Sequence, residues 1–348
     1  MPSCPNGHQQ RLGLKCTTCG AELTYRDSLG EACDLPKVEP DYGKVSVLSV
    51  GFPGIRFNAD YIAGLVAEAS DLETPALFQV ANIRGGSWID FQRKYVEALR
   101  NWMTLMGLDK SAEKFLLVDT TNQLSVLALS AFPHLKHSAV IAVLADQSST
   151  PIEQNTSYVA LSLAFKKGLP IIALSKSYAN EMLFFTKDRG FATRGDAVST
   201  LLDSLLGSAD DLLDMMERDL KLGIKMHCIS IIISGSKNIY GNAANAFNAL
   251  SYNISVRTEI ENYQTLHSLV YSQKEMEGDF EKGFGVYRNK RFKGALSAEF
   301  RYRQTTSPLY DMLMLYGLKG DESLRTLAGG YQEIVKTMPE LKAEDAVQ

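Results

Sequence analysis

SAVIAVLADQSSTPIEQNTSYVALSLAFKKGLPIIAL, residues 138–174, decides the fold. Two apolar runs, Ala139–Leu144 and Leu169–Leu174, bracket a helical span at Thr156–Lys167. Neither run alternates polar with apolar, so both read as strands buried on two faces. A helix between two such strands places them side by side and parallel, because a crossover is needed to return the chain to the same edge.

The same alternation extends upstream. Lys44–Val50, Ala76–Val80 and Lys114–Val118 read as strands, and Asn58–Ala69, Phe91–Met106 and Gln123–Ala131 as helices. In Asn58–Ala69 the apolar positions Ile62, Leu65, Val66 and Ala69 share one face. The expected fold class is α/β, with a Rossmann-like parallel-sheet nucleotide-binding domain over residues 44–190.

Ligands of such sheets bind beyond the carboxyl ends of the strands. Three loops lie there. Gly51 and Gly54, leading to Asn58, form a turn that is either an ordinary connection or a close approach to a phosphate. Asp119, Thr120 and Thr121 offer hydroxyls and a carboxylate for a phosphate or sugar, or serve only as a helix cap. Asp146–Thr156, which contains Glu153, is long and polar for a plain connector and reads as part of a site.

Past Asn180 the pattern changes. Gly195–Leu206 is helical and leads into the acidic segment SADDLLDMMERDLKLG, residues 208–223, so residues 191–222 read as a connecting core helix with an acidic loop. A smaller mixed α+β C-terminal domain follows over residues 223–338. Its expected strands are Ile224–Ile233, Thr265–Ser272, Gly283–Tyr287 and Ala295–Arg303, its helices Asn242–Leu250 and Glu322–Thr337, and residues 339–348 form a tail. RNKRFK at Arg288–Lys293 reads as a solvated hairpin turn.

At the other end, Cys4 and His8, then Cys16 and Cys19, have the C-x3-H and C-x2-C spacing of a tetrahedral zinc site. Gly7 and Gly20 free the backbone at the two turns. Four protein ligands close the coordination sphere, so the Zn2+ is structural, and residues 1–24 form a zinc ribbon joined by a linker over 25–43. Five cysteines in 348 residues, with Cys33 and Cys228 left over and far apart, argue for a reducing compartment, and the expected location is cytoplasmic. No run of about eighteen apolar residues is present. A net charge of -4 excludes a generally basic nucleic-acid binder.

An α/β domain, a connecting helix and a smaller mixed domain form a layout that resembles the tubulin/FtsZ superfamily. The closest local likeness is Asp211-Leu212-Leu213-Asp214, followed by Met215 and Met216, which resembles the acidic segment with which an FtsZ subunit reaches its neighbour's nucleotide. The resemblance implies GTP with Mg2+ at Gly51, Gly54, Asn58, Asp119, Thr120, Thr121 and Glu153. It implies water activation by Asp211 and Asp214 of the next subunit, and head-to-tail self-association into filaments with the zinc ribbon displayed as a docking module for a protein partner. The chain departs from the pattern where the glycine-rich phosphate loop belongs: after Val118 stands DTTNQLS, without glycine. FATRGD, residues 191–196, offers no asparagine to read guanine. Turnover is therefore expected to be weak or lost. Residues 138–174 are also similar to nucleoside-deoxyribosyltransferase-like and TIR-like folds, although Ala160 and Ser162 stand where a carboxylate would be useful. A noncatalytic zinc-ribbon adaptor is the third reading.

Overall fold

The computed structural model describes residues 4–8, 18–21, 25–26, 32–33, 45–50, 113–121, 123–133, 135–146, 149–178, 194–236, 241–256 and 260–319. The expected strand Ala76–Val80, the helices Asn58–Ala69, Phe91–Met106 and Glu322–Thr337, and the C-terminal tail lie outside them. So do Gly51, Gly54, Asn58 and Cys16.

Ten strands are described. A two-residue antiparallel pair, β1 (Tyr25–Arg26) and β2 (Ala32–Cys33), lies in the stretch expected to be a linker. The other eight are β3 (Val45–Val50), β4 (Glu113–Asp119), β5 (Ser138–Leu144), β6 (Ile171–Ser175), β7 (Ile224–Gly235), β8 (Thr265–Ser272), β9 (Ser297–Gln304) and β10 (Tyr310–Lys319). They form one sheet in the order β3-β4-β5-β6-β7-β10-β8-β9. Strands β3 to β7 are mutually parallel, and β10 runs antiparallel to both of its neighbours, β7 and β8. The parallel half and the mixed half thus share a sheet, joined by the β6–β7 register from Ile171–Met226 to Ala173–Cys228.

The described helices are α1 (Gln123–Ala131), α2 (Pro151–Lys166), α3 (Arg194–Gly207), α4 (Ala209–Lys221), α5 (Ala243–Tyr252) and α6 (Glu277–Arg291). Strand side chains alternate between two cores, as a pleated backbone requires. In β4, Leu116 and Val118 join the core that includes α1, α2, α5 and α6, while Phe115 and Leu117 join the core against α3 and α4. Met312, Met314 and Tyr316 of β10 take the first side, and Leu313 and Leu315 the second. Burial on both faces explains why these strands read as unbroken apolar runs.

Helix α2 begins where its caps dictate. The Thr150 side chain accepts from the Glu153 amide, Glu153 accepts in return from the Thr150 backbone, and Pro151 occupies the first turn. A capping box of this kind contributes about 1 kcal/mol. The helix ends at Lys167, and Gly168 with φ +70° makes the exit turn.

Three expectations change. Gly283–Tyr287, expected as a strand, lies within α6, where Phe280, Phe284 and Tyr287 recur at helical spacing into the core. Gly283 lets α6 pack close to α5, since a Cβ would stand 3.1 Å from the Ala243 and Ala244 backbone. RNKRFK is not a hairpin turn: Arg288–Arg291 form the last turn of α6, where cations suit the negative end of the helix. The acidic segment is helical, since α4 follows α3 after the single residue Ser208. Strand β10, the central strand of the mixed half, is not among those expected from the sequence.

Candidate functional site

The first candidate is the carboxyl edge of the parallel strands. Asp119 ends β4, and its Oδ1 accepts from the Thr121 amide at 3.0 Å and the Thr121 hydroxyl at 2.6 Å. Thr120 is fully buried. Its amide donates to the Val143 carbonyl at 3.0 Å and its hydroxyl to the same oxygen at 2.7 Å. The Ser157 hydroxyl lies 2.7 Å from Thr120 Oγ1 and accepts from the Ala145 amide at 3.0 Å. Thr120 therefore stitches β4 to β5 and α2.

Glu153 caps α2 and accepts from Lys176 Nζ at 2.7 Å. That hydrogen bond and the one from the Thr150 amide hold its carboxyl below the usual carboxylate range. The connection that contains Asp146 is tied by its own bonds: Gln154 Nε2 donates to the Asp146 and Ser149 carbonyls, both at 3.1 Å. Asp119 and Thr121 thus bond to each other, and Glu153 bonds to Thr150 and Lys176. A phosphate cradle needs successive amides pointing at the ligand. Here the Thr120 amide donates to Val143 and the Thr121 amide to Asp119, so these two amides are not offered to a ligand. Glu153 is likewise committed to the cap and to Lys176.

The second candidate is α4, at the opposite edge of the parallel strands. It is tied there by Glu217, which accepts from the His137 amide just before β5 at 2.9 Å; burial, and then the nearby Asp210 carboxylate, raise the pKa of Glu113 at the start of β4. Asp211 and Asp214 share a helix face, as their i, i+3 spacing requires. Both are engaged by β9. Arg301 donates through Nη1 to Asp211 Oδ1 at 2.8 Å, through Nη2 to Asp214 Oδ2, and through Nε to Glu299 Oε1 at 2.7 Å. Arg303 grips Asp211 at both oxygens. Arg218 bridges Asp214 and Glu299 at 3.0 and 2.9 Å. Three guanidinium groups thus balance three carboxylates. Burial alone would raise the Asp211 pKa, and the hydrogen bonds from Arg303 and Arg301 more than reverse it, so the carboxyl is a weaker base than usual.

Further along α4 the fold assembles a cluster that no local motif announces. Asp219, on the same helix, is buried, and its Oδ2 accepts from His227 Nε2 on β7 and His267 Nε2 on β8, both at 2.8 Å, and from the Thr265 hydroxyl at 2.6 Å. Gly317 of β10 lies between His227 and Thr265 in the sheet and leaves the room they use. Burial raises the Asp219 pKa and the two imidazoles then pull it far below the carboxylate range, while burial pushes His227 down. Both rings present Nε2–H to the carboxylate. The residues come from four elements with no local motif, and only the rarity of histidine, five in the chain, hinted at them.

The third candidate is the amino-terminal cluster. Cys4, His8 and Cys19 bring their ligand atoms within 4.8 Å of one another. Cys4 Sγ lies 3.5 Å from Cys19 Sγ and 3.6 Å from His8 Nδ1. Gly7 and Gly20 take φ +76° and +71° at the two turns, the freedom their positions suggested. Asn6 donates its amide to Cys4 Sγ and its Nδ2 to Cys19 Sγ. The Cys19 thiol is drawn down to about 6, first by the Ala21 amide and then by Asn6. Two sulfurs and an imidazole at this spacing fit a zinc ion, with N–H donors stabilising the thiolates.

No protein-family model and no curated protein matches the chain. Solved structures do. CetZ from Methanosaeta thermophila strain DSM 6194 is 12% identical and superposes with a TM-score of 0.50 over 70% of this chain and 74% of its own. A TubZ of type III plasmid segregation is 10% identical, with a TM-score of 0.50 over 77% of this chain and 80% of its own. The likeness is one of fold, and the fold is the tubulin/FtsZ-like arrangement of a parallel sheet continued by a mixed one.

Proposed function

We propose that the chain is a tubulin/FtsZ-like filament-forming protein of the cytoplasm that assembles head to tail. The observation that carries this reading is the separation of two unlike polar surfaces on one rigid sheet: the Asp119–Thr121 and Glu153 edge at the carboxyl ends of the parallel strands, and the Asp211, Asp214, Arg301 and Arg303 surface of α4 and β9 on the other side. Surfaces at opposite ends of one subunit can meet only in a heterologous contact, and a heterologous contact without rotation to closure propagates as a filament. In this reading Asp211 and Asp214 serve the tail contact, with Arg218, Arg301 and Arg303 providing the cations.

Cys4, His8 and Cys19, with Cys16 as fourth ligand, hold a structural zinc ion in a ribbon that docks a protein partner. Displayed once per subunit, the ribbon engages that partner with avidity. Electron microscopy of the purified full-length chain across a concentration series tests the reading: it expects filaments, and a uniformly monomeric protein contradicts it.

A further inference from the structure

We infer that the carboxyl-terminal end of α6 is a docking surface for an anionic lipid bilayer. Arg288, Lys290 and Arg291 occupy the last turn of the helix, and Lys293 follows just beyond it. All four are exposed, and among the described residues none has a carboxylate within ion-pair distance. The helix dipole accounts for cations in the last turn, but Lys293 lies outside the helix. On a chain of net charge -4 the four make a local positive surface on an otherwise acidic protein. The backbone beneath them is fixed. Phe292 is buried, its ring 5.7 Å from that of Tyr287 and 5.8 Å from that of Tyr316. The Ala295 and Leu296 amides donate to the Phe292 and Gln264 carbonyls at 3.1 and 2.7 Å.

Exposed apolar side chains accompany these cations. Leu296 is 58% exposed, Val286, one turn before Lys290, is 60% exposed, and Tyr252, the last residue of α5, is 70% exposed. Helices α5 and α6 run side by side in the same direction: Gly283 meets Ala243 and Ala244, and Tyr287 stacks on Phe247 with ring centres 6.0 Å apart. Tyr252 therefore reaches the same end as Arg291. Cations beside an exposed Leu and Tyr suit a bilayer interface, where the headgroups take the charges and the apolar groups enter just below them. Duplex nucleic acid would pair with the cations but has nothing to offer Leu296 and Val286. The contact needs no filament. Where subunits assemble, the surface recurs once per subunit and binds with avidity, and only that gain rests on the filament reading.

The test is flotation of the full-length protein through a density gradient, with vesicles of phosphatidylcholine alone and of phosphatidylcholine with about 30% phosphatidylserine, at about 50 and 500 mM salt. Polymer sinks in such a gradient, so flotation reports lipid binding alone. The protein is expected to float with the anionic vesicles at low salt, to be released at high salt, and to stay behind with phosphatidylcholine. Each cation contributes about five-fold, so Arg288→Gln/Lys290→Gln/Arg291→Gln/Lys293→Gln should weaken binding by about a hundred-fold or more. Arg288→Lys/Arg291→Lys, which keeps the charge, should stay within about two-fold of the original, and Tyr252→Ser/Leu296→Ser should bind about ten-fold more weakly. Thermal unfolding of each variant checks that the fold is kept; should the glutamine variant unfold, the other two decide. No flotation with anionic vesicles, equal flotation with phosphatidylcholine, or a folded glutamine variant that floats undiminished overturns the inference. Binding to duplex DNA or polyglutamate without flotation assigns the cations to another polyanion and overturns it as well. Absence of polymer in electron microscopy removes the filament reading and leaves the flotation result standing, so the two failures are distinct.

Discussion

Arg303 holds Asp211 through both carboxylate oxygens, Nε to Oδ2 at 3.0 Å and Nη2 to Oδ1, so that strand β9 and the first turn of α4 are fastened side-on. The Asp211 side chain is 8% exposed, and that of Arg303 is 52% exposed. The pair therefore differs from a surface ion pair, because removing the arginine leaves Asp211 Oδ2 without its donor where water reaches poorly, with Arg301 still holding Oδ1. Arg303→Gln is expected to lower stability by about 1–3 kcal/mol, read from urea denaturation. Adding Asp211→Asn should recover part of that loss, and strictly additive costs in the double variant would show the two residues to be uncoupled.

The cluster around Asp219 predicts how stability depends on pH. His227 is fully buried and its folded pKa lies below the unfolded value of about 6.5. The unfolded chain therefore takes up that proton first, and stability present above about pH 6.5 falls as pH drops through it. Asp219, depressed by its histidine partners, adds a second loss below about pH 4. The groups facing the pair are His267, Thr265 and, 4.0 Å from His267 Nδ1, Glu299. Denaturation at pH 7, 6 and 5 should show a slope of up to about 1.4 kcal/mol per pH unit, flattened in His227→Gln. An unchanged slope in that variant would assign the acid sensitivity elsewhere.

Gly317 gives the same cluster a steric test. A Cβ at this position would stand 2.0 Å from Thr265 Oγ1, 2.7 Å from Ile224 Cγ2 and 3.2 Å from Asp219 Oδ2. Gly317→Ala is expected to cost about 3 kcal/mol. Thr265→Ala in the same chain should return part of it by removing the nearest atom, at the loss of one hydrogen bond to Asp219. Thermal unfolding of the two variants decides, and a neutral Gly317→Ala would mean that β10 shifts freely in the sheet.

How much of this was legible beforehand follows from range in sequence. The parallel strands were readable because burial on both faces leaves unbroken apolar runs such as Ile171–Leu174, and the two amino-terminal turns because Gly7 and Gly20 sit beside ligands only three or four residues apart. Glu153 drew notice from its polar surroundings, yet the same residues spell a capping box at Thr150, and local capping is what the fold uses. Gly283–Tyr287 misled because FGV and Tyr287 have strand-like composition, whereas the deciding contact is with Ala243 and Ala244, some forty residues away. The Asp219, His227, Thr265 and His267 cluster joins positions separated by up to 48 residues, and no spacing rule reports such an encounter. Arg301 and Arg303 were invisible for the same reason: alternation along a strand does not say which helix the outward side chains will meet.

The amino-terminal site predicts its own metal dependence. Cys4→Ser or Cys19→Ser should abolish one zinc per chain, measured by atomic emission, and Asn6→Ala should weaken retention against a chelator by about ten-fold. Unfolding of the sheet should be unchanged in all three. A falling denaturation midpoint on zinc removal would mean that the ribbon is part of the main fold.

The central claim is tested most directly by sedimentation of the full-length protein over a concentration series, with and without GTP and Mg2+, and electron microscopy of the pellet. The account predicts a threshold concentration above which added protein pellets as filaments. Protein that stays in the supernatant at every concentration under both conditions would contradict it.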